Sequence, residues 1–393
     1  MSPRMLTLLR HADVYAPERL GLRDVLVAGE RIAGIAERIE APAGLPVEVV
    51  DLEGRRILPG LVDPHVHVTG GGGEAGAATK VPPVPLSRFT SAGTTTVIGV
   101  LGTDDLTRTT AELLARARGL EDEGISAFAL TGGYHFPPAT LTGSVRGDIV
   151  HVDRILGVGE IAISDHRSSQ PTLDELLRIA SEAHVAGLMT GKAGIVHLHV
   201  GDGSRGLDLV RRALESSELP PRVFNPTHVN RRKALFEEAL DLVERGVALD
   251  VTAFPVGDDE DAWSAGEAVE RYLGAGFPER RITVSSDGGG CLPRFDADGR
   301  VAHMDVGAPA SLRVELEALV GRGHALERVL PAFTSNAADL WRLPNKGRLA
   351  AGRDADLLVL DERFGFAEVM ARGRWHVRRG APVVHGTFEG GHA

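Results

Sequence analysis

Two kinds of hydrophobic pattern divide the chain. From about residue 58 to 345, short β-branched runs alternate with stretches whose apolar positions recur every three to four residues. The first run reaches from Leu58 to Val66. Others cover residues 94–101, 125–131, 156–163, 195–200, 223–228, 247–252 and 282–286. Between them lie helical stretches. Leu113, Leu114, Ala117 and Leu120 share one face, Thr172-Leu173-Asp174-Glu175 forms a capping box, and residues 234–243 run to a stop at Gly246. Eight strands with intervening helices predict an α/β fold, a (β/α)8 barrel of the TIM type, over residues 58–345. Both ends of the chain show short strands only. Val25-Leu26-Val27-Ala28, a Gly29-Glu30 turn and residues 31–35 predict a hairpin, and residues 356–360 and 375–377 predict strands near the C-terminus. Segments 1–57 and 346–393 are expected to pair into a small β-sandwich domain beside the barrel.

Composition narrows the function classes. The net charge of −11 disfavours nucleic acid and anionic membrane as partners, so any cations that hold a substrate must be local. A lone cysteine, Cys291, excludes an intramolecular disulfide and fits a reducing cytosol. The apolar stretch at residues 5–9 is too short for a signal peptide, and no run approaches a membrane span. A cytoplasmic, soluble protein is expected.

The chemistry collects at strand ends, where such barrels carry their active sites. His65 and His67, two apart on a strand, project to one side. Two satisfied core histidines would give the same spacing, so the remaining strand ends decide. The fourth strand supplies Glu160, the fifth His199, the sixth His228 and the eighth Asp287. Four histidines and two carboxylates at one barrel end make an N/O donor set suited to zinc or a similar divalent ion. After the first strand, residues 70–73 are all glycine and lead to Glu74. They let backbone pass close to a ligand but form no phosphate loop, because no Lys-Ser/Thr follows.

Several motifs carry a resemblance: Pro59-Gly60 with the His65/His67 pair, Gly71-Gly72-Gly73-Glu74-Ala75-Gly76, Leu101-Gly102-Thr103-Asp104, Gly133-Tyr134-His135, Ser164-Asp165-His166-Arg167, Thr227-His228-Val229-Asn230-Arg231 and Ser286-Asp287-Gly288. Through them the chain resembles the amidohydrolase superfamily and, within it, the isoaspartyl (β-aspartyl) dipeptidases, along nearly its whole length. The resemblance implies a barrel with a small β-sandwich, two divalent metal ions (zinc first), a homo-oligomer, and hydrolysis of dipeptides linked through the aspartate side chain. Attack of a metal-bridging hydroxide on the amide carbonyl is the implied mechanism. His65, His67, Glu160, His199, His228 and Asp287 are the expected metal ligands, and Asp287 doubles as general base. Tyr134 is the implied oxyanion donor. Glu74 suits the substrate ammonium and Arg167 and Arg231 its carboxylates, because a guanidinium can hold a carboxylate bidentately. The resemblance assigns these three to substrate, with Thr103. Without it, the bland alternatives are a rim ion pair for either arginine and a strand-end hydroxyl for Thr103.

Two positions depart from the family. Glu160 stands where the family has a carboxylated lysine bridging both metals; the charge is kept but the reach is shorter. Cys291 replaces a serine thought to contact substrate, and a thiol donates more weakly than a hydroxyl. A nucleophilic Cys291 has little to recommend it where metals can activate water. His197 lies one step deeper than His199 and reads as a core or supporting histidine. His135 and His166 border active-site motifs. The acidic run 258–261 reads as a solvated loop, or as part of a mobile cover. The rival functions are another amidohydrolase, acting on N-acyl amino acids or cyclic amides, and a scaffold that kept only the fold. With Glu160 as the bridge, activity is expected to be indifferent to added bicarbonate; bicarbonate-dependent recovery of the apoenzyme would contradict that assignment.

Overall fold

The computed structural model describes residues 6–257, 259–296, 298 and 300–389. The eight barrel strands are Leu61–Val66, Thr94–Gly99, Ser126–Thr131, Ile155–Ile163, Val196–Val200, Phe224–Thr227, Leu249–Thr252 and Ile282–Ser285. The first six form one parallel sheet in chain order, and the last two pair with each other, also in parallel. All of their residues but Phe128 are buried, as expected of strands covered by helices outside and filled by side chains within.

The two seams that lack a regular ladder are sewn by side chains and strand-end backbone. Between the sixth and seventh strands, the Asn225 amide donates to Ala248 O (2.8 Å) and the Thr227 hydroxyl to Asp250 (2.7 Å). Asn230 accepts from Thr252 N (2.8 Å) and donates to Thr252 O (2.9 Å) and Trp263 O (2.8 Å). Between the eighth strand and the first, Asp287 N donates to His65 O (3.2 Å) and His67 N to Gly288 O (2.9 Å). Asp63 accepts there from the backbone and hydroxyl of Ser286. The closing bonds of this second seam thus involve the backbone of three of the expected ligands, His65, His67 and Asp287.

The helices follow their local signals. Leu173–Thr190 starts at a complete capping box, Thr172 with Glu175, and buries Leu176, Ile179, Ala180 and Ala183 along one face before Gly191 ends it in the left-handed region. Thr110–Glu123 is capped by Thr109 and buries Leu113, Leu114, Ala117 and Leu120.

The terminal segments form one nine-stranded sheet. Its long first strand, Leu6–Tyr15, pairs on one side in parallel with Val47–Asp51 along its first half and with Arg56–Pro59 further on, and on the other antiparallel with Arg19–Ala28, where the register shifts between Leu9 and Ala12. The sheet encloses an apolar cluster that includes Leu9, Val14, Val25, Ile32, Ile57, Leu357 and Met370. The expected hairpin is present as Arg19–Ala28 with Arg31–Ala36. One expected strand is divided. The run from Leu58 to Val66 breaks at Gly60: Arg56–Pro59 joins the terminal sheet against Leu357–Leu360, and the barrel begins at Leu61. A side chain at Gly60 would collide with Thr95, so glycine permits the crossing.

The sequence pattern did not suggest the antiparallel hairpin Cys291–Phe295 with Val301–Val306, which follows the eighth strand. Pro293 lies inside its first strand and weakens the local strand signal. For the sixth–seventh seam, Asn230→Ala removes three hydrogen bonds and leaves the Thr252 N–H unpaired. A loss of about 2–4 kcal/mol in unfolding free energy is expected, read as a lower urea midpoint at unchanged slope.

Candidate active site

All the expected ligands but Glu160 sit at or just beyond a strand's C-terminal end. His65 is the penultimate residue of the first strand and His67 follows its last; Glu160 lies within the fourth strand and His199 within the fifth. His228 and Asp287 come after the sixth and eighth strands with φ of 61° and 49°. That left-handed backbone costs a non-glycine residue about 1–3 kcal/mol unless its surroundings hold it. Here the His228 Nδ1 bonds the Thr252 hydroxyl (2.7 Å), and Asp287 N bonds His65 O.

Glu160 is the centre of this cluster. Its Oε1 lies 3.6 Å from His65 Nε2 and 3.3 Å from His67 Nε2. Its Oε2 lies 3.1 Å from His199 Nδ1 and 3.4 Å from His228 Nε2. One carboxylate thus divides its oxygens between two pairs of imidazoles. Asp287 Oδ1 reaches the first pair, 3.5 Å from His65 Nε2 and 3.1 Å from His67 Nε2. Three overlapping triads bring donor atoms within 4.8 Å of one another: His65/His67/Glu160, His65/His228/Asp287 and Glu160/His199/His228.

The electrostatics call for cations. Burial alone would raise the Glu160 and Asp287 carboxyls, but the surrounding histidines outweigh it and hold both well below the usual range. Burial likewise opposes charge on His67, yet Asp287 and Glu160 push it up to about 10. Two buried carboxylates therefore draw protons onto imidazole, the role a divalent ion would take. His65 Nε2 and Asp287 Oδ1 are buried and make no hydrogen bond. Buried polar atoms are rarely left so, and an N/O set of this kind fits zinc and its neighbours.

A cavity of about 230 Å³ opens over the cluster, and Glu74, Thr103, Tyr134, Arg167, Arg231 and Cys291 all line it. Glu74 Oε1 accepts from the Thr103 hydroxyl (3.0 Å) and Arg167 Nη1 (3.4 Å), while its Oε2 is buried without a hydrogen-bond partner. Arg231 Nη1 donates to Val200 O (3.1 Å). The Tyr134 hydroxyl lies 2.8 Å from His199 Nδ1, and burial raises its pKa well above the ordinary value, so it stays a donor. Burial, reinforced by Glu74, pushes the Cys291 thiol up to about 12, which speaks against a thiolate nucleophile.

Sequence reasoning missed three supporting residues. Asp165 grips Arg167 bidentately (3.0 and 2.8 Å) and reaches His199 Nε2 (3.0 Å). Its one signal was a position two residues before Arg167, in a motif already singled out. Asp105 accepts from His135 N and Nδ1 (3.1 and 2.8 Å), pinning the loop that carries Tyr134. The buried Arg108 donates to the carbonyls of Thr69, Gly71 and Val81 and so shapes the glycine run before Glu74. His166 is half exposed beside Asp165. In the acidic run, Asp258 lies outside the described residues, whereas Glu260 pairs with Arg294 of the hairpin (2.5 Å), both lining the cavity.

A sequence model of the amidohydrolase family matches residues 56–376. The chain belongs to the amidohydrolase family. Its structure is similar to that of a β-aspartyl dipeptidase from Fervidobacterium islandicum AW-1, solved with a β-Asp-Leu dipeptide. The two share 40% identity over 96% of this chain and 98% of that one, at a TM-score of 0.90. A dihydropyrimidinase from Brevibacillus agri shares the fold, with a TM-score of 0.68 at 18% identity over 97% of each chain. A deacetylase of Agrobacterium fabrum is 25% identical over 86% of this chain and 78% of its own length. An amidohydrolase with these neighbours and this His/Glu cluster is a metal-dependent hydrolase. Among the described residues, no helix is long and apolar enough to cross a membrane.

Proposed function

We propose that this amidohydrolase is a dipeptidase for β-aspartyl (isoaspartyl) peptides, working with two divalent ions, zinc first among them. His65, His67, Glu160 and Asp287 would hold one ion and Glu160, His199 and His228 the other, with Glu160 reaching both through its separate oxygens. When bound, the ions supply Lewis acidity and allow water to be deprotonated near neutral pH.

The observation that carries the substrate assignment is the bare, buried Glu74 Oε2 in a cavity that also holds the guanidinium groups of Arg167 and Arg231, the third, Arg294, being paired with Glu260. A β-aspartyl dipeptide offers one ammonium and two carboxylates, so its charges complement this lining. Thr103 and Arg167 fix Glu74 through its other oxygen, leaving the free one for the ammonium. Arg231 and Arg167 take the carboxylates, Arg167 being held in orientation by Asp165. Asp287 Oδ1 accepts the proton of the attacking water and delivers it to the leaving amine. The Tyr134 hydroxyl donates to the carbonyl oxygen as negative charge develops there. Cys291 stays a neutral thiol beside Glu74 and contributes a weak contact. The 40% identity to a protein solved with β-Asp-Leu supports the same substrate class.

The similarity to a deacetylase favours a second reading, removal of an acyl group, for which N-acyl amino acids are the substrates considered. Such substrates lack the ammonium that Glu74 would bind. Zinc-loaded protein offered β-Asp-Leu, α-Asp-Leu, N-acetyl-leucine and dihydrouracil is expected to turn over the first far faster than the rest. Preference for the acetylated amino acid or the cyclic amide would reverse the assignment. Tyr134→Phe is expected to lower kcat by about 10²–10³ with KM little changed; an unaltered kcat removes Tyr134 from the chemistry.

A further inference from the structure

Behind the metal-facing histidines stands another imidazole with no role in the proposed reaction. His197, two residues before His199, is fully buried. Its Nε2 lies 2.8 Å from His65 Nδ1 and its Nδ1 lies 2.7 Å from Asn225 Oδ1. Asn225 Nδ2 lies 2.8 Å from Ala248 O.

The direction of every bond in this row follows from its far end. A backbone carbonyl only accepts, so Asn225 must turn its amide nitrogen to Ala248 and its oxygen to His197. That oxygen also only accepts, so the proton sits on His197 Nδ1. A metal on His65 Nε2 leaves the His65 proton on Nδ1, so a second proton on His197 would set N–H against N–H across the 2.8 Å contact. His197 Nε2 is therefore the lone-pair nitrogen, and His65 Nδ1 donates to it. With its proton held on Nδ1, a neutral His65 has Nε2 left as the lone-pair nitrogen that a metal would take. That nitrogen is the atom that makes no hydrogen bond and lies 3.6 Å from Glu160 and 3.5 Å from Asp287.

We propose that His197 and Asn225 are positioning residues that hold His65 in its Nε2-binding tautomer, with the Ala248 carbonyl setting the direction of the row. This rests on the metal centre proposed above but not on the choice of substrate. Reversing the row would place a proton on His65 Nε2 and remove it as a ligand. A ring that merely fills space beside Trp341, 5.7 Å away between centroids, would have no such directional requirement.

The tautomer can be read without any substrate. In zinc-loaded, ¹⁵N-histidine-labelled protein, long-range ¹H–¹⁵N spectra are expected to show His197 protonated at Nδ1 and bare at Nε2; a proton on Nε2 overturns the proposal. Chelator competition gives the second readout. Asn225→Leu touches no metal ligand, yet it and His197→Phe are each expected to weaken zinc binding about 10–100-fold. Folding is checked by circular dichroism. Folded Asn225→Leu with unchanged zinc affinity would also sink the idea, and should the variants not fold, the wild-type spectrum still decides it. Failure to cleave β-aspartyl peptides would count against the substrate assignment alone.

Discussion

A carboxylate buried among four imidazoles is the constraint on which this structure turns. Glu160 is almost wholly enclosed, and each of its oxygens faces a different histidine pair. Taking such a charge out of water is expensive unless opposite charge comes with it. Protons on imidazole can meet that need in part, and divalent ions meet it with higher charge and with lone pairs already aimed. The barrel makes the arrangement possible because each strand end points a side chain toward one axis. The helices and strands beneath are packed tightly enough to keep those ends in register.

The rest of the mouth is organised around holding polar groups still. Asp165 fixes Arg167, Thr103 and Arg167 fix one oxygen of Glu74, and Asp105 fixes the loop before His135. These contacts restrain charged side chains before any ligand arrives, which lowers the ordering cost of binding. The exposed part of the mouth is different in kind. There the hairpin Cys291–Phe295 with Val301–Val306 meets the loop after the seventh strand through Arg294 and Glu260. That pair lies nearer solvent and contributes little to stability.

Much of this was legible in the chain because the signals were periodic or chemically dense. Eight β-branched runs marked the barrel strands to within a few residues. Histidines two apart, or in short motifs at run ends, marked the expected ligand positions, which the structure brings together around Glu160. What escaped were groups whose meaning depends on a distant partner. Arg108 reads as an ordinary surface arginine until the fold wraps the glycine run around it. Asn225 is a polar residue in an apolar strand, with nothing local to connect it to His65 some 160 positions earlier. Gly60 looked like the interior of a strand because the apolar pattern continues across it; only the close approach of Thr95 shows that the chain changes sheets there. The hairpin was hidden by Pro293, which argues against a strand locally while its edge position tolerates it.

The measurement that bears most directly on the Glu160 constraint is a crystal structure of zinc-loaded protein with anomalous data at the zinc edge. Two peaks are predicted, one on the His65/His67 side and one on the His199/His228 side, with one Glu160 oxygen directed at each. A single peak, or a Glu160 carboxylate turned away from both histidine pairs, would contradict the account.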